Sequence, residues 1–267
     1  MTLRRGLYLS GVAVICAWVL VPLWLLAANA LGGQAVISAW PKPWLPWGFS
    51  LATMREFLAI EGVFRAMLIG FEVALLCTLF SLLLGLPAGY ALARYSFRGA
   101  NAFRLMVLLT RAFPVGILAL PLTVGFIKLG LYDTALGIAL MHTALALPFA
   151  VLVSASLFQA IPREIEEAAW VFGCSPVQAA LRVVMPLALP GVSAVAIFAF
   201  VISWNEVFAA SVLSARNRTL TAYILAMLVE SPLTYQFAGA LLLIVPSVLF
   251  IFLVRKHLFA MWGIASR

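Results

Sequence analysis

Apolar residues run through this chain in long blocks separated by short polar stretches. Six blocks, at 7–31, 65–93, 105–127, 134–158, 191–213 and 237–254, approach or exceed the roughly 20 residues that a helix needs to cross a bilayer core of about 30 Å. The expected fold is an all-α polytopic membrane protein with six transmembrane helices, an even number that puts both termini on one side. Segment 32–61 is the longest outer connection and carries Trp40, Pro41, Pro43, Trp44, Pro46 and Trp47. Prolines oppose regular helix and indoles favour the headgroup layer, so an interfacial loop is expected there, with sugar stacking by the indoles as the alternative.

Segment 161–190, between the fourth and fifth spans, is amphipathic and too polar to cross. Its signals describe two short helices. Pro162 suits a first turn, Glu164, Glu166 and Glu167 place negative charge at the positive end of a helix dipole, and Gly173 suits the left-handed turn that ends such a helix. Ser175, Pro176 and Gln178 then make a capping box. The second helix is expected to run to about Met185 and to break at Pro186.

Composition sharpens this picture. Hydrophobic residues make up 65% and charged residues 10% of the 267 positions, against about 45–50% and 25% in soluble domains, which excludes a water-soluble globule. The net charge of +8 is explained by topology: ten of the 17 basic residues (Arg4, Arg5, Arg94, Arg98, Arg104, Arg163, Arg182, Arg255, Lys256 and Arg267) flank one set of span ends. The positive-inside rule makes that set cytoplasmic, together with both termini, and no nucleic-acid partner is called for. Arg4 and Arg5, the first apolar block and Ala28-Asn29-Ala30 also fit a cleavable signal, but 7–31 is longer than a usual signal core and a retained anchor is expected. Cys16, Cys77 and Cys174 lack metal-ligand spacing and read as small hydrophobes. No phosphate-binding G-x-x-x-x-G-K-[ST] occurs, so this chain is not an ATPase, and the two histidines, His142 and His257, read as packing or interfacial residues.

The run Glu167-Ala168-Ala169, three residues, Gly173, nine residues, then Val183-Val184-Met185-Pro186 resembles the E-A-A-x3-G-x9-I-x-L-P loop of binding-protein-dependent ABC importer permeases. Leu131-Tyr132-Asp133-Thr134, Leu147-Pro148-Phe149, Ile161-Pro162 and Trp204-Asn205-Glu206 are similar to its carbohydrate-uptake branch, of the maltose-permease-G type, and the likeness covers about 65–257. Phe172 departs from the family's usual Asp, and the tail ending MWGIASR lacks its glycine-rich sequence. The resemblance implies a permease subunit in a bacterial or archaeal inner membrane, divided into an N-terminal helix and outer loop (1–64), a type-1 importer transmembrane domain (65–260) and a short cytoplasmic tail (261–267). It implies partners: an ABC ATPase dimer that binds the ATP and Mg, a second homologous permease and an extracytoplasmic solute-binding protein, with no cofactor on this chain. Glu166, Glu167, Ala168, Ala169, Gly173 and Pro186 become the ATPase-coupling residues. The solute is a sugar or related polyol.

Charges inside the membrane cost about 2.5–3.5 kcal/mol on insertion scales, so they mark candidate functional positions. Glu72, Arg111, Asn205 and Glu206 qualify, with Glu72 and Arg111 at different depths and not expected to pair. Asn205 and Glu206 supply hydroxyl-bonding groups beside the aromatic faces of Trp204 and Phe200, a combination suited to sugars. Because a helix turns 100° per residue, Asn205 and Glu206 are expected to point inward and Trp204 to flank them; Phe198, Phe208 and Phe250 read as lipid-facing or as filler. An ion-coupled carrier and a docking scaffold are the alternative functions, and the two halves show no repeat of the kind carriers carry.

Overall fold

The computed structural model describes residues 2–44, 48–112, 114–227 and 231–261, and among these every regular element is helical. The expected positions Pro46 and Trp47 and the tail from 262 onward lie outside the described residues. The chain divides into two units, Met1–Phe64 with Ile224–Val245, and Arg65–Tyr223 with Pro246–Arg267.

In the first unit α1 (Thr2–Ser38) is helical except at Gly33, which has φ 65°. The tryptophan segment is less irregular than its prolines suggest. It contains the end of α1 and a further helix, α2 (Ala52–Ala59), because the prolines cluster before residue 47 and leave the amphipathic run behind them free to coil. Trp24 Nε1 donates to the Trp44 carbonyl at 2.8 Å, and Phe57 of α2 meets Tyr235 with ring centroids 6.3 Å apart.

The second unit holds most of α3 (Val63–Arg94), then α4 (Ala100–Leu109) and α5 (Val115–Lys128), and α6 (Ala135–Gln159). After them come α7 (Glu164–Val171), α8 (Pro176–Ala179), α9 (Met185–Asn205), α10 (Phe208–Leu213), α11 (Leu220–Met227) and α12 (Leu233–Met261), the last two crossing between the units. Five continuous helices among the described residues are long and apolar enough to span, and α4 with the turn Thr110–Ala112 and α5 is a sixth candidate, bent by 93°. The sequence predicts one straight span at 105–127. Pro114 interrupts it: its backbone is extended (ψ 123°) and it has no N–H to continue the ladder.

Two close packings place the functional ends. Gly85 and Gly89 let α3 approach α6, where a Cβ on either would lie 2.7 Å from Ala150 Cβ or 2.5 Å from Ser154 Cβ; small residues four apart allow such contact where lipid supplies no hydrophobic drive. Helix α9 packs lengthwise on α6. Pro186 does not end the loop's second helix as expected. Residues Ala180–Val184 widen into a π turn, and the helix continues from Pro176 to Asn205. The wide turn accommodates the proline ring, which otherwise presses on the carbonyl four residues back.

Candidate functional site

At one end of the second unit the loop between α6 and α9 folds into two helices joined by a tight turn. Gly173 takes φ 88°, its N–H donates to Trp170 O at 2.9 Å, and the Cys174 N–H reaches Ala169 O at 3.0 Å, which together close the C-terminus of α7. The next helix starts at once: the Gln178 N–H donates to Ser175 Oγ at 3.3 Å and the Ser175 N–H to Gln178 Oε1 at 3.0 Å. The segment is therefore held by its own backbone caps.

Adjacent glutamates on α7 face opposite ways. Glu167 is exposed, in a 3.6 Å i,i+4 pair with Arg163. Glu166 is 1% exposed and lies 2.9 Å from Arg94 Nε at the end of α3, while Tyr90 Oη donates to its other oxygen at 3.3 Å. Arg94 Nη2 also donates to the Ile161 carbonyl at 3.0 Å. Removing one member of such a buried pair costs about 3–5 kcal/mol, because the other charge is stranded, whereas an exposed pair is worth about 0–1 kcal/mol. On the open side of the loop stand Ala168, Val171 (85% exposed), Phe172 (88%) and Val177 (67%), while Ala169 is buried. Phe172 thus widens an apolar surface.

At the opposite end, α9 stops at Asn205. Glu206 is extended (ψ 126°), and its carboxylate oxygens accept the N–H groups of Ala209 at 3.0 Å and Ala210 at 3.0 Å, capping α10. Its Oε2 lies 3.1 Å from Nε2 of the fully buried His142, whose Nδ1 is 2.8 Å from Ser203 Oγ. Thr221 Oγ1 donates to the Glu206 carbonyl at 3.0 Å. Trp204 and Phe200 are buried with Phe71 and Phe250: Phe71 and Trp204 centroids are 4.8 Å apart, and Phe200 and Phe250 stack at 3.9 Å.

This reverses part of the expected orientation. Trp204 is the inward residue and Asn205 the exposed one, its amide donating to Val201 O of its own helix at 2.8 Å. The helix ends sooner than a span to 213, so Glu206 leaves the helical rotation and turns back under α10. Phe200 presents no open face, and Phe250 is its stacking partner. Glu72 is exposed on α3 and Arg111 exposed on the turn after α4, and neither joins the His142 cluster.

Three participants were not among the expected site residues. Arg94 was absorbed into the charge asymmetry, and His142 into packing, although an ionisable group at a depth similar to that of Glu206 on an adjacent antiparallel span was a usable signal. The third is Asp133, a non-glycine with φ 58°, whose Oδ1 accepts the consecutive N–H groups of Ala215, Arg216 and Asn217 at 2.8, 3.0 and 2.9 Å. Asn217 in turn accepts from Arg65 Nη2 at 2.7 Å. Burial alone would raise the Asp133 pKa, but the three donors outweigh it and hold it below the ordinary carboxylate value.

Comparison with known proteins identifies the type of molecule. Residues 81–259 match the family described as binding-protein-dependent transport system inner membrane component. The chain is 31% identical to the trehalose transport system permease protein SugB of Mycobacterium tuberculosis, over 75% of this chain and 77% of that one. It is 30% identical to the inner membrane ABC transporter permease protein YcjP of Escherichia coli, over 82% and 80%. Among solved structures, a bacterial ABC transporter involved in the import of the acidic polysaccharide alginate superposes with a TM-score of 0.74 at 20% identity, covering 96% of each chain. With a capped helix pair between two spans and a family match over most of its length, this chain belongs to the binding-protein-dependent ABC transporter permeases, multi-pass membrane subunits that contain no ATPase of their own.

Proposed function

We propose that the chain forms half of the translocation pathway of an importer for a sugar or related polyol and that its α7–α8 loop couples the pathway to a separate ATPase dimer. The observation that carries this reading is the loop itself, capped at both helices, anchored inward through Glu166, and apolar outward at Ala168, Val171, Phe172 and Val177. That surface suits insertion into a cleft of another protein, with Glu167 available for a charge contact there and Gly173 and Pro186 shaping the segment. Closure of an ATPase dimer on Mg-ATP then displaces the loop and repacks the attached spans, a two-state change biased by nucleotide. The loop end is cytoplasmic in this reading, as are both termini, in a bacterial or archaeal inner membrane.

A second homologous permease completes the pathway, and an extracytoplasmic solute-binding protein delivers the solute at the opposite end. Glu72 and Asn205, exposed on this chain, are the pathway-facing candidates. Phe200, Trp204 and Glu206 shape the wall behind them. The sugar class rests on the trehalose transport permease named above. Purification of the chain with its co-expressed neighbours tests the coupling: an ATPase is expected to co-purify, and a chain that brings none down is a carrier or a scaffold. Screening the co-expressed solute-binding protein against trehalose, maltose, sorbitol and glycerol phosphate tests the substrate class.

A further inference from the structure

The coupling loop is covalently continuous with α6 and α9, so those two helices follow it whatever else happens. Helix α3 has no such connection, yet its last turn holds the loop by three polar contacts. Arg94 Nε meets Glu166 Oε1 at 2.9 Å, Arg94 Nη2 meets the Ile161 carbonyl at 3.0 Å, and Tyr90 Oη meets Glu166 Oε2 at 3.3 Å. Tyr90 also packs edge-on against Phe158 of α6 with centroids 5.4 Å apart. One guanidinium thereby joins the end of α3, the exit of α6 and the first turn of α7. Beside it an apolar cavity of about 460 Å³ separates α3, at Leu79 and Leu83, from Val177 and Leu181 of the α8–π segment. Nearer the loop, Leu86, Tyr90 and Ala93 of α3 pack against Phe158, Val184 and Ala188, and the polar contacts at Arg94 and Tyr90 fix that end of α3 to the loop in one register. Arg104 Nη2 extends the chain of bonds by donating to the Leu92 carbonyl at 3.0 Å, which links α4 to the same turn of α3.

The geometry points to Arg94 and Tyr90 as positioning residues that make α3 move with the coupling loop, Glu166 being the loop's side of the tie and not a contact to the ATPase. This deepens the permease reading and rests on it. A guanidinium is needed because its planar fork serves the carboxylate and the carbonyl together; a lysine ammonium keeps the charge and loses the second fixed contact.

The test uses the full complex with its co-purified ATPase in nanodiscs, in a background lacking Cys16, Cys77 and Cys174. Spin labels at the exposed positions 83 and 164, the second on α7 but outside the docking surface, report the distance from α3 to the loop, nucleotide-free and after trapping with Mg-ATP and vanadate, and labels on the ATPase verify closure. In the otherwise unaltered chain the 83–164 distance is expected to change by less than about 1–2 Å, the scale of a small helix shift at an interface. In Arg94→Lys and in Tyr90→Phe, which removes one hydroxyl, it is expected to change by more than that on closure. The reciprocal pair Arg94→Glu with Glu166→Arg re-forms the charge contact without the bond to the Ile161 carbonyl and is expected to shift as Arg94→Lys does; a constant distance in that pair would overturn the role of the guanidinium fork. A distance that shifts in the unaltered chain, or stays constant in both single variants, overturns the tie while a bound ATPase upholds the permease reading. Absence of any bound ATPase overturns both.

Discussion

The two ends of the second unit each place two polar residues side by side and use them differently. At the loop end Glu166 turns in to a permanent cation on another helix, and Glu167 turns out beside a bare apolar surface. At the opposite end Glu206 turns in to backbone N–H groups and a histidine, Asn205 turns out, and the large apolar residues Trp204 and Phe200 are buried. The loop end is thus tied internally and open to a partner. The other end is closed on itself: its carboxylate meets the α10 N–H groups and a buried histidine, and its aromatic side chains are buried. Both acids are turned in and satisfied, so what separates the two ends is the direction of their large apolar residues.

The comparison is broken most directly at Arg94. Arg94→Ala strands the Glu166 carboxylate and is expected to destabilise the chain by about 3–5 kcal/mol, whereas Glu167→Ala is expected to cost no more than about 1 kcal/mol. Thermal unfolding of the purified variants in detergent measures both, and equal losses would mean that the two glutamates are not divided between inside and outside. Next in size is Glu206→Ala, which leaves the α10 N-terminus uncapped and is expected to cost about 1–3 kcal/mol. Asn205→Ala is expected to stay within about 0.5 kcal/mol in stability and to act, if anywhere, on uptake. Loss of abundance for Asn205→Ala and not for Glu206→Ala would reverse the assignment of this end.

Gly173 sharpens the open side of the loop. A Cβ there meets nothing within 4 Å, so size is not the constraint; φ 88° is. Gly173→Ala is expected to cost about 1–2 kcal/mol and Gly173→Asn less, with retention of the ATPase on co-purification falling in the same order. Equal retention for both would show that the turn is not what shapes the docking surface. The smallest effect concerns Asp133. Its pKa is lower in the folded chain than the ordinary value of about 3.9, so its stabilisation is complete above that ordinary value and is lost as pH falls through the lowered one. Unfolding midpoints between pH 7 and pH 3 are expected to drop less steeply in Asp133→Asn, which tolerates φ 58° but carries no charge.

Much of this architecture is written in local pattern. The apolar blocks, the start of α6 at Thr134, whose Oγ1 accepts the Gly137 N–H at 3.0 Å, the Gly173 turn and the Ser175–Gln178 capping box follow from residues within a few positions of one another. Short-range periodicity and capping chemistry decide such features before any long-range contact forms. The direction in which each polar residue points is another matter. Rotation of a helix about its axis is set by what packs on it. The partners of Glu166 are 72 and 76 positions away at Arg94 and Tyr90, and Ser203 lies 61 from His142. The early end of α9 at Asn205 likewise goes with remote partners, His142 and Thr221, that hold Glu206, whereas the 93° bend around Pro114 has a local cause that the apolar pattern overlooked. The sequence by itself determined a polytopic helical chain with a capped helix pair between two of its spans. Only the tertiary structure decided which acids are buried and what each one holds, because a carboxylate in a low-dielectric interior is tolerable only where a distant segment brings it a partner.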